Sequence, residues 1–394
     1  MRSELPSAWM WEPIRRIAKP VRRPVLIEND EQYRTMGVKW WGEGAYARET
    51  KFGHEIKAGK LFKASVNDLV INRIWVRHGS SGVINEALAG CVVTQDFPTF
   101  ELNLNRVSTS WLLYMFKTKW FWEECEVKSR GTSGRQRINP EEYLDIEIPL
   151  PPLDEQRRIV AKLDALAARV EQALALQQAA IEAREQWLMA SMKAIFAELA
   201  SAYGQRPLKG LFSFRYDLIR PKDKVTGEMR FIGLQHIEPH TGRRIGADVV
   251  QVEELAGRKF RFSPGEIVYG YLRPYLNKVW VADCDGLCSV DQYVLRADNS
   301  QVRTDYLAYA MRSPLFLEQS AAKTGLLTLP RLRSGLLEEI EIPVPPLDKQ
   351  ACIIDHLDKL QAKMGELKQM QIVTKQELDA LLPSVLDKAF RGEL

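Results

Sequence analysis

At 394 residues the chain can hold two or three domains with their own cores, and its apolar (45%) and charged (27%) fractions are those of an ordinary globular protein. No apolar run approaches the ~18 residues of a membrane span, and none precedes Arg15-Arg16, which argues against a signal peptide. The five cysteines (Cys91, Cys125, Cys284, Cys288, Cys352) are odd in number and scattered, so reduced thiols in a cytoplasmic protein are expected.

The net charge of +4 is unevenly placed: residues 1–147 carry +3, residues 204–340 carry +4, and the two remaining segments together carry −3. Positive charge concentrated in two separate modules suits a polyanionic partner, although values this small also fit an indifferent surface.

The first module, 1–147, reads as mixed α/β. Residues 65–74 (Ser-Val-Asn-Asp-Leu-Val-Ile-Asn-Arg-Ile) look like a turn entering a strand, Gly79-Ser80-Ser81-Gly82 a turn, and residues 90–94 a further strand. Ser110 is placed to cap a helix carrying Trp111, Leu112, Tyr114, Met115 and Phe116. Most of the ten tryptophans fall in this module, and the simplest expectation is that they are core. Residues 128–137 (Lys-Ser-Arg-Gly-Thr-Ser-Gly-Arg-Gln-Arg) interleave guanidinium groups with glycine and small hydroxyls. Such a loop lets backbone approach a surface while arginines reach phosphates or guanine edges, or it is merely a solvated loop. It lacks the Gly-Lys-Ser/Thr ending of a P-loop.

Next comes Ile146-Glu147-Ile148-Pro149-Leu150-Pro151-Pro152-Leu153-Asp154-Glu155-Gln156, and 194 residues later Ile340-Glu341-Ile342-Pro343-Val344-Pro345-Pro346-Leu347-Asp348-Lys349-Gln350. The offset holds through Asp164/Asp358, Gln177/Gln371 and Phe196/Phe390, so the chain is a two-unit tandem repeat. Each proline stretch should give way to a helix starting at Asp154 or Asp348. Apolar residues then alternate in steps of four and three: Ile159, Leu163, Leu166, Val170, Ala173, then Gln177 and Ala180, and in the second copy Ile353, Leu357, Leu360, Met364, Leu367, then Gln371, Thr374, Leu378 and Leu381. That spacing marks a coiled-coil seam. A helix from Asp154 to Leu199 would be about 68 Å long at ~1.5 Å per residue. Pro383 should break or kink the second helix. Paired antiparallel about a pseudo-twofold, the helices would bring Gln177 and Gln371 near the axis as a register-setting polar layer, unless both are ordinary surface glutamines.

The second module, 204–340, reads over residues 263–280 as a turn, a strand, a basic-aromatic connection around Arg273-Pro274-Tyr275 and a second strand, with a third over residues 286–295. A helix from Asp305 echoes the Ser110 helix. Ahead of the second repeat, Lys323, Arg331 and Arg333 stand near Gly325, which matches Gly131 at the same offset. The expected architecture is therefore α/β (α+β): two mixed α/β domains (1–147 and 204–340) joined by two helical spacers (148–203 and 341–394) in an antiparallel coiled coil. Candidate contacts for a polyanion are Arg73, Arg77, Lys128, Arg130, Arg135, Gln136 and Arg137 in the first module. In the second they are Tyr271, Arg273, Tyr275, Lys278, Lys323, Arg331 and Arg333. Ile159, Leu163, Leu166, Val170, Gln177, Ile353, Leu357, Leu360, Met364 and Gln371 are the expected seam.

The doubled Pro-Pro-Leu-Asp-x-Gln, the long helices, residues 388–394 (Lys-Ala-Phe-Arg-Gly-Glu-Leu) and residues 272–278 (Leu-Arg-Pro-Tyr-Leu-Asn-Lys) resemble the specificity subunit of type I restriction–modification systems across the whole chain. The resemblance implies two target recognition domains, each reading one half of an interrupted asymmetric DNA site, and helices that set the gap and dock two methyltransferase subunits. It further implies S-adenosylmethionine, ATP and Mg on partner subunits, a restriction/translocase subunit as partner, and no cofactor or catalysis on this chain. No Asn/Asp-Pro-Pro-Tyr/Phe methyltransferase motif is present, Glu126-Val127-Lys128 lacks a preceding Pro-Asp pair, and His236/His240 and Cys284/Cys288 do not make a zinc set. The recognition subunit of another multi-subunit methyltransferase-endonuclease, or a coiled-coil scaffold that binds no DNA, remain the alternatives.

Overall fold

A computed structural model describes residues 5–131, 136–221, 223, 225–324 and 328–394. The chain divides into two compact units, residues 1–177 with 373–394, and residues 178–372.

In the first unit, strands Ala18–Val21, Thr99–Leu102, Asp68–Ile71 and Ser81–Val83 form an antiparallel sheet in that order. A five-stranded sheet runs Pro24–Val25, Leu61–Lys63, Val92–Val93, Gln32–Val38 and Ala45–Phe52, with one parallel pairing at Thr35 and Val92. Helices α1 (Thr109–Met115), α2 (Lys119–Val127) and α3 (Pro140–Leu144) follow, and Met10–Pro13 pairs with Glu147–Leu150 at the entrance to α4 (Leu153–Tyr203). The second unit repeats this order. Strands Phe212–Phe214, Gln292–Ala297, Ile267–Gly270 and Val279–Val281 form one sheet, and five strands from Leu218–Ile219 to Asp248–Gln251 form the other, again with one parallel pairing. Helices α5 (Thr304–Arg312), α6 (Pro314–Thr324) and α7 (Ser334–Glu338) precede α8 (Leu347–Phe390). The fold is mixed α/β in two sheet-rich units with long helices, as the sequence implied.

Each unit holds a stretch of both long helices, packed antiparallel. In the first, Ile159, Val160 and Leu163 share a core with Leu386, Ala389 and Phe390, and the Phe390 ring lies 4.4 Å from Trp111. In the second, Met192 and Phe196 share a core with Ile354 and Leu357. Ile159, Leu163, Val170 and Leu357 are buried, while Leu166, Gln177, Ile353, Leu360, Met364 and Gln371 are half-buried. Ala180, Thr374, Leu367 and Leu381 are exposed and lie off the seam; Ile181 and Arg184 take the inward positions after Gln177. Arg184 donates to Gln371 Oε1 at 2.6 Å.

The repeated Gln explains the repeated motif. Fully buried, Gln156 accepts from Ser108 N–H (2.8 Å) and donates to the carbonyls of Arg106 and Pro151 (both 2.9 Å). Gln350, equally buried, accepts from Arg303 N–H (2.8 Å) and donates to those of Gln301 (3.1 Å) and Pro345 (2.8 Å). The first turn of each long helix thereby holds the N-terminus of α1 or α5. Further along, Tyr114 donates to Asp164 (2.6 Å) and Tyr309 to Asp358 (2.5 Å).

Several local expectations are corrected. Ser108, not Ser110, is the cap of α1; its side chain makes no cap bond, and its backbone N–H donates to Gln156. The long helices begin at Leu153 and Leu347, one residue before the aspartates, which sit in the first turn beside the unpaired N–H groups. Pro383 lies inside α8 without ending it; it is exposed, so water can serve the freed carbonyl, and Leu386, Ala389 and Phe390 anchor the following turn in the core. The 286–295 strand is two strands interrupted at residues 289–291, and Ser81 and Gly82 belong to a strand, not a turn. Of the first module's tryptophans only Trp9 and Trp111 are fully buried; Trp11 and Trp120 are half-buried and meet edge to face, while Trp40, Trp41, Trp75 and Trp122 gather at the end of a hairpin. All five cysteines are unpaired.

Candidate nucleic-acid interface

The two candidate clusters of each module, far apart in sequence, are brought together by the same backbone bond. In the first unit the N–H of Ile138 donates to the carbonyl of Arg73 at 3.0 Å; in the second, Leu332 N–H donates to the carbonyl of Tyr271 at 3.0 Å. Ile138 and Leu332 are related by the 194 offset, so one device is built twice.

In the second unit the connection after Ile267–Gly270 is tightly formed. Arg273 and Asn277 both take left-handed backbone (φ 53° and 49°) around the turn Pro274–Leu276. Arg273 N–H donates to Pro330 at 2.8 Å, and Leu272 bridges to Arg331. Non-glycine residues held in this region are costly and concentrate at working surfaces. Arg273, Tyr275, Arg331 and Arg333 are all exposed. Tyr271 stacks on Tyr293 (4.3 Å between rings, 19° apart) and donates to the Val290 carbonyl at 2.9 Å. Its phenol is pushed up, first by burial and then by Asp291, against the opposing pull of Arg331 and Arg258. Exposed Arg258, which sequence reasoning missed, thus belongs with this cluster. Lys278 does not stand free: its ammonium donates to the Leu234 carbonyl at 2.5 Å, and burial lowers its pKa. Lys323 pairs with Glu339 at 2.8 Å. Gly325 lies outside the described residues.

In the first unit Arg73 is a structural pin, its Nε donating to the Ile138 carbonyl at 3.0 Å. Arg77 is half-buried; it donates to Gln136 Oε1 at 2.9 Å, and its guanidinium lies 5.8 Å from the Trp75 ring. Arg137 meets Asp96 at 3.4 Å and Arg130 meets Glu142 at 3.2 Å; in both pairs the arginine is exposed and the carboxylate half-buried, so each contributes little stability. Lys128 is half-buried, and Arg135 lies outside the described residues. Sequence reasoning passed over the neighbouring rings Trp40, Trp41, His78 and Trp122; the doubled Trp40-Trp41 just before Gly42 was the available signal. Among the described residues no group of His, Cys, Asp and Glu could hold a metal, and no helix is long and apolar enough to cross a membrane.

The arrangement offers guanidinium groups in both units, with the half-buried Gln136 amide in the first and the exposed Tyr275 phenol in the second, a donor and acceptor set of the kind that reads base edges and phosphates. Comparison with known proteins points the same way. The chain is 28% identical to the type I restriction enzyme EcoDI specificity subunit of Escherichia coli, over 65% of this chain and 64% of that protein. It is 22% identical to the StySPI specificity subunit of Salmonella potsdam, over 73% and 66%. The similarity thus spans just under two thirds of these relatives' own lengths. Among solved structures, the HsdS subunit from Thermoanaerobacter tengcongensis superposes with TM-score 0.63 at 20% identity, covering 99% of this chain and 98% of that one. A chain from work on complex assembly and conformational transition of the type I R-M system gives 0.76 at 19%, covering 99% and 100%; at these identities the two structures share the fold. The family description "type I restriction modification DNA specificity domain" matches residues 19–180 and 258–375, one stretch in each copy of the tandem repeat. Matched over more than half its length, the chain belongs to the type I restriction modification DNA specificity family.

Proposed function

We propose that this chain is the non-catalytic, sequence-specific DNA-recognition subunit of a type I restriction–modification complex. Each sheet-rich unit reads one half of an interrupted asymmetric site in double-stranded DNA. The observation that carries this is the twice-built device in which a basic segment is bonded to a strand-end loop through Ile138–Arg73 or Leu332–Tyr271. It leaves different side chains exposed in the two units, so the two half-sites should differ. The contacts are Arg77, Lys128, Arg130, Arg135, Gln136 and Arg137 in one unit and Arg273, Tyr275, Arg331 and Arg333 in the other, with Arg73, Tyr271, Lys278 and Lys323 shaping the loops that present them.

The long helices would set the spacing between half-sites and receive two methyltransferase subunits. Their outer faces carry apolar side chains left uncovered among the described residues: Leu176 and Met370 are 64% and 65% exposed. S-adenosylmethionine, and ATP with Mg, would act on the methyltransferase and restriction/translocase subunits in the cytoplasm. Genome-wide adenine-methylation sequencing of cells expressing this chain with a cognate methyltransferase tests the reading. One interrupted motif that requires both proteins is expected, and replacing residues 204–340 should alter one half of it. Methylation independent of this chain would refute it.

A further inference from the structure

One surface of the first unit lies outside the bonded loops. The connection 39–44 of the hairpin Gln32–Val38/Ala45–Phe52 leaves Trp40 and Trp41 43% and 52% exposed. Bulky Trp41 is held in the left-handed region (φ 60°), its N–H donating to the His78 carbonyl at 2.7 Å while Gly42 N–H donates to that of Gly79 at 2.9 Å. Gly42 (φ 69°) is pinned in turn, because a Cβ there would strike the Phe116 carbonyl. The corresponding connection of the second unit is longer and engages the helices: Gln361 donates to the Thr241 carbonyl and Lys368 pairs with Glu238 at 2.5 Å. Only the first unit leaves indoles open here.

Each indole already has a neighbour on its ring. Trp40 lies 4.9 Å from Trp75, tilted 38°, and Trp41 lies 5.3 Å from Trp122, tilted 56°. An occupied face disfavours sandwiching an extruded base and leaves apolar edges to present. Trp75 also carries the Arg77 guanidinium that bonds Gln136, so apolar edges and a polar fork share one cluster. In the major groove the thymine methyl is the apolar feature among otherwise polar base edges.

We propose that Trp40 and Trp41 are an apolar base-edge reader, contacting a thymine methyl in the major groove beside the base pair reached by Arg77 and Gln136. This rests on the DNA-reading function proposed above. The test selects bound sequences from randomised duplexes with the full chain, together with its methyltransferase subunits, and repeats the selection with Arg77→Ala to identify the half-site of the first unit. That half-site should contain an A·T pair whose thymine, replaced by uracil, weakens wild-type binding about fourfold, the worth of one methyl removed from water. The variant Trp40→Ala/Trp41→Asn should lose that preference, keep the other half-site and be indifferent to uracil; Asn tolerates the left-handed backbone. Uracil without effect on the wild type, a half-site lacking such a pair, or an unchanged motif in the variant would each overturn this inference alone. Failure of the wild type to select any motif would instead refute DNA reading itself. Should the variant unfold, the uracil substitution on the wild type still decides.

Discussion

Replacing Gln156 with Leu should destabilise the first unit without touching its exposed loops. The fully buried side chain makes three hydrogen bonds, and leucine would strand the Ser108 N–H and the carbonyls of Arg106 and Pro151 away from water. A buried polar group left without a partner costs ~1–3 kcal/mol, and partial relaxation brings the three to about 3–5 kcal/mol. That is a large share of the ~5–15 kcal/mol holding a typical domain together. At ~2–4 °C per kcal/mol for a unit of this size, Tm should fall on the order of 10 °C. Urea unfolding followed by hydrogen exchange localises the effect: amides around Ser108 and α1 should lose protection, whereas Gln350→Leu should instead expose those around Arg303 and α5. Glu155→Ala is the control, since its partner Arg158 is 44% exposed and such a pair is worth at most ~1 kcal/mol. A Gln156→Leu protein as stable as wild type, or one losing protection evenly throughout, would refute the assignment of the repeated glutamine as the lock between the long helix and the start of α1.

Tyr114→Phe and Tyr309→Phe each remove a hydrogen bond to a carboxylate (2.6 Å to Asp164, 2.5 Å to Asp358) and should each cost about 1.5–3 kcal/mol by urea unfolding. Gly42→Ala meets both a left-handed φ and the Phe116 carbonyl, and should lower the unfolding free energy of the first unit by about 2–4 kcal/mol; Gly44→Ala, with open space around it, should cost only about 1 kcal/mol for its φ of 80°. For Glu238, burial would raise the carboxyl pKa, but hydrogen bonds from Lys368 and Thr241 outweigh it and leave the value below the usual carboxylate range. A depressed folded-state pKa means the stabilisation is complete above the ordinary glutamate pKa and disappears as pH falls through the lower folded value. Comparing unfolding midpoints of wild type and Glu238→Gln across that acid window should show the difference shrinking as pH falls. In the favoured function, Arg331→Ala should reduce the salt dependence of DNA binding by about one unit of slope if it meets a phosphate, or relax one base position if it meets a base edge.

Linear order alone was enough to reveal the tandem repeat, the long helices and the mixed α/β modules, because offset identity, proline placement and the four-three apolar rhythm are properties of neighbouring residues. The same holds for the basic segment at 128–137 and the basic-aromatic segment at 271–278. What those residues do with their side chains depended on partners far along the chain. Arg73 became a pin because Ile138 returns to it, Lys278 was absorbed by the Leu234 carbonyl, and Lys323 by Glu339. Gln156 stood out only as a letter in a repeated motif until Arg106 and Ser108 were seen around it. Tryptophan counts suggested core, yet exposure at Trp40 and Trp41 follows from a left-handed turn docked on His78 and Gly79, contacts that no local periodicity encodes. Even the assignment of helix to unit was tertiary. Residues 153–177 of α4 pack with residues 373–394, and residues 178–203 pack with the start of α8, because a seam is completed by whichever distant segment buries it. Sequence determined the elements and their repetition; long-range packing decided which polar groups were consumed in holding them and which were left to meet another molecule.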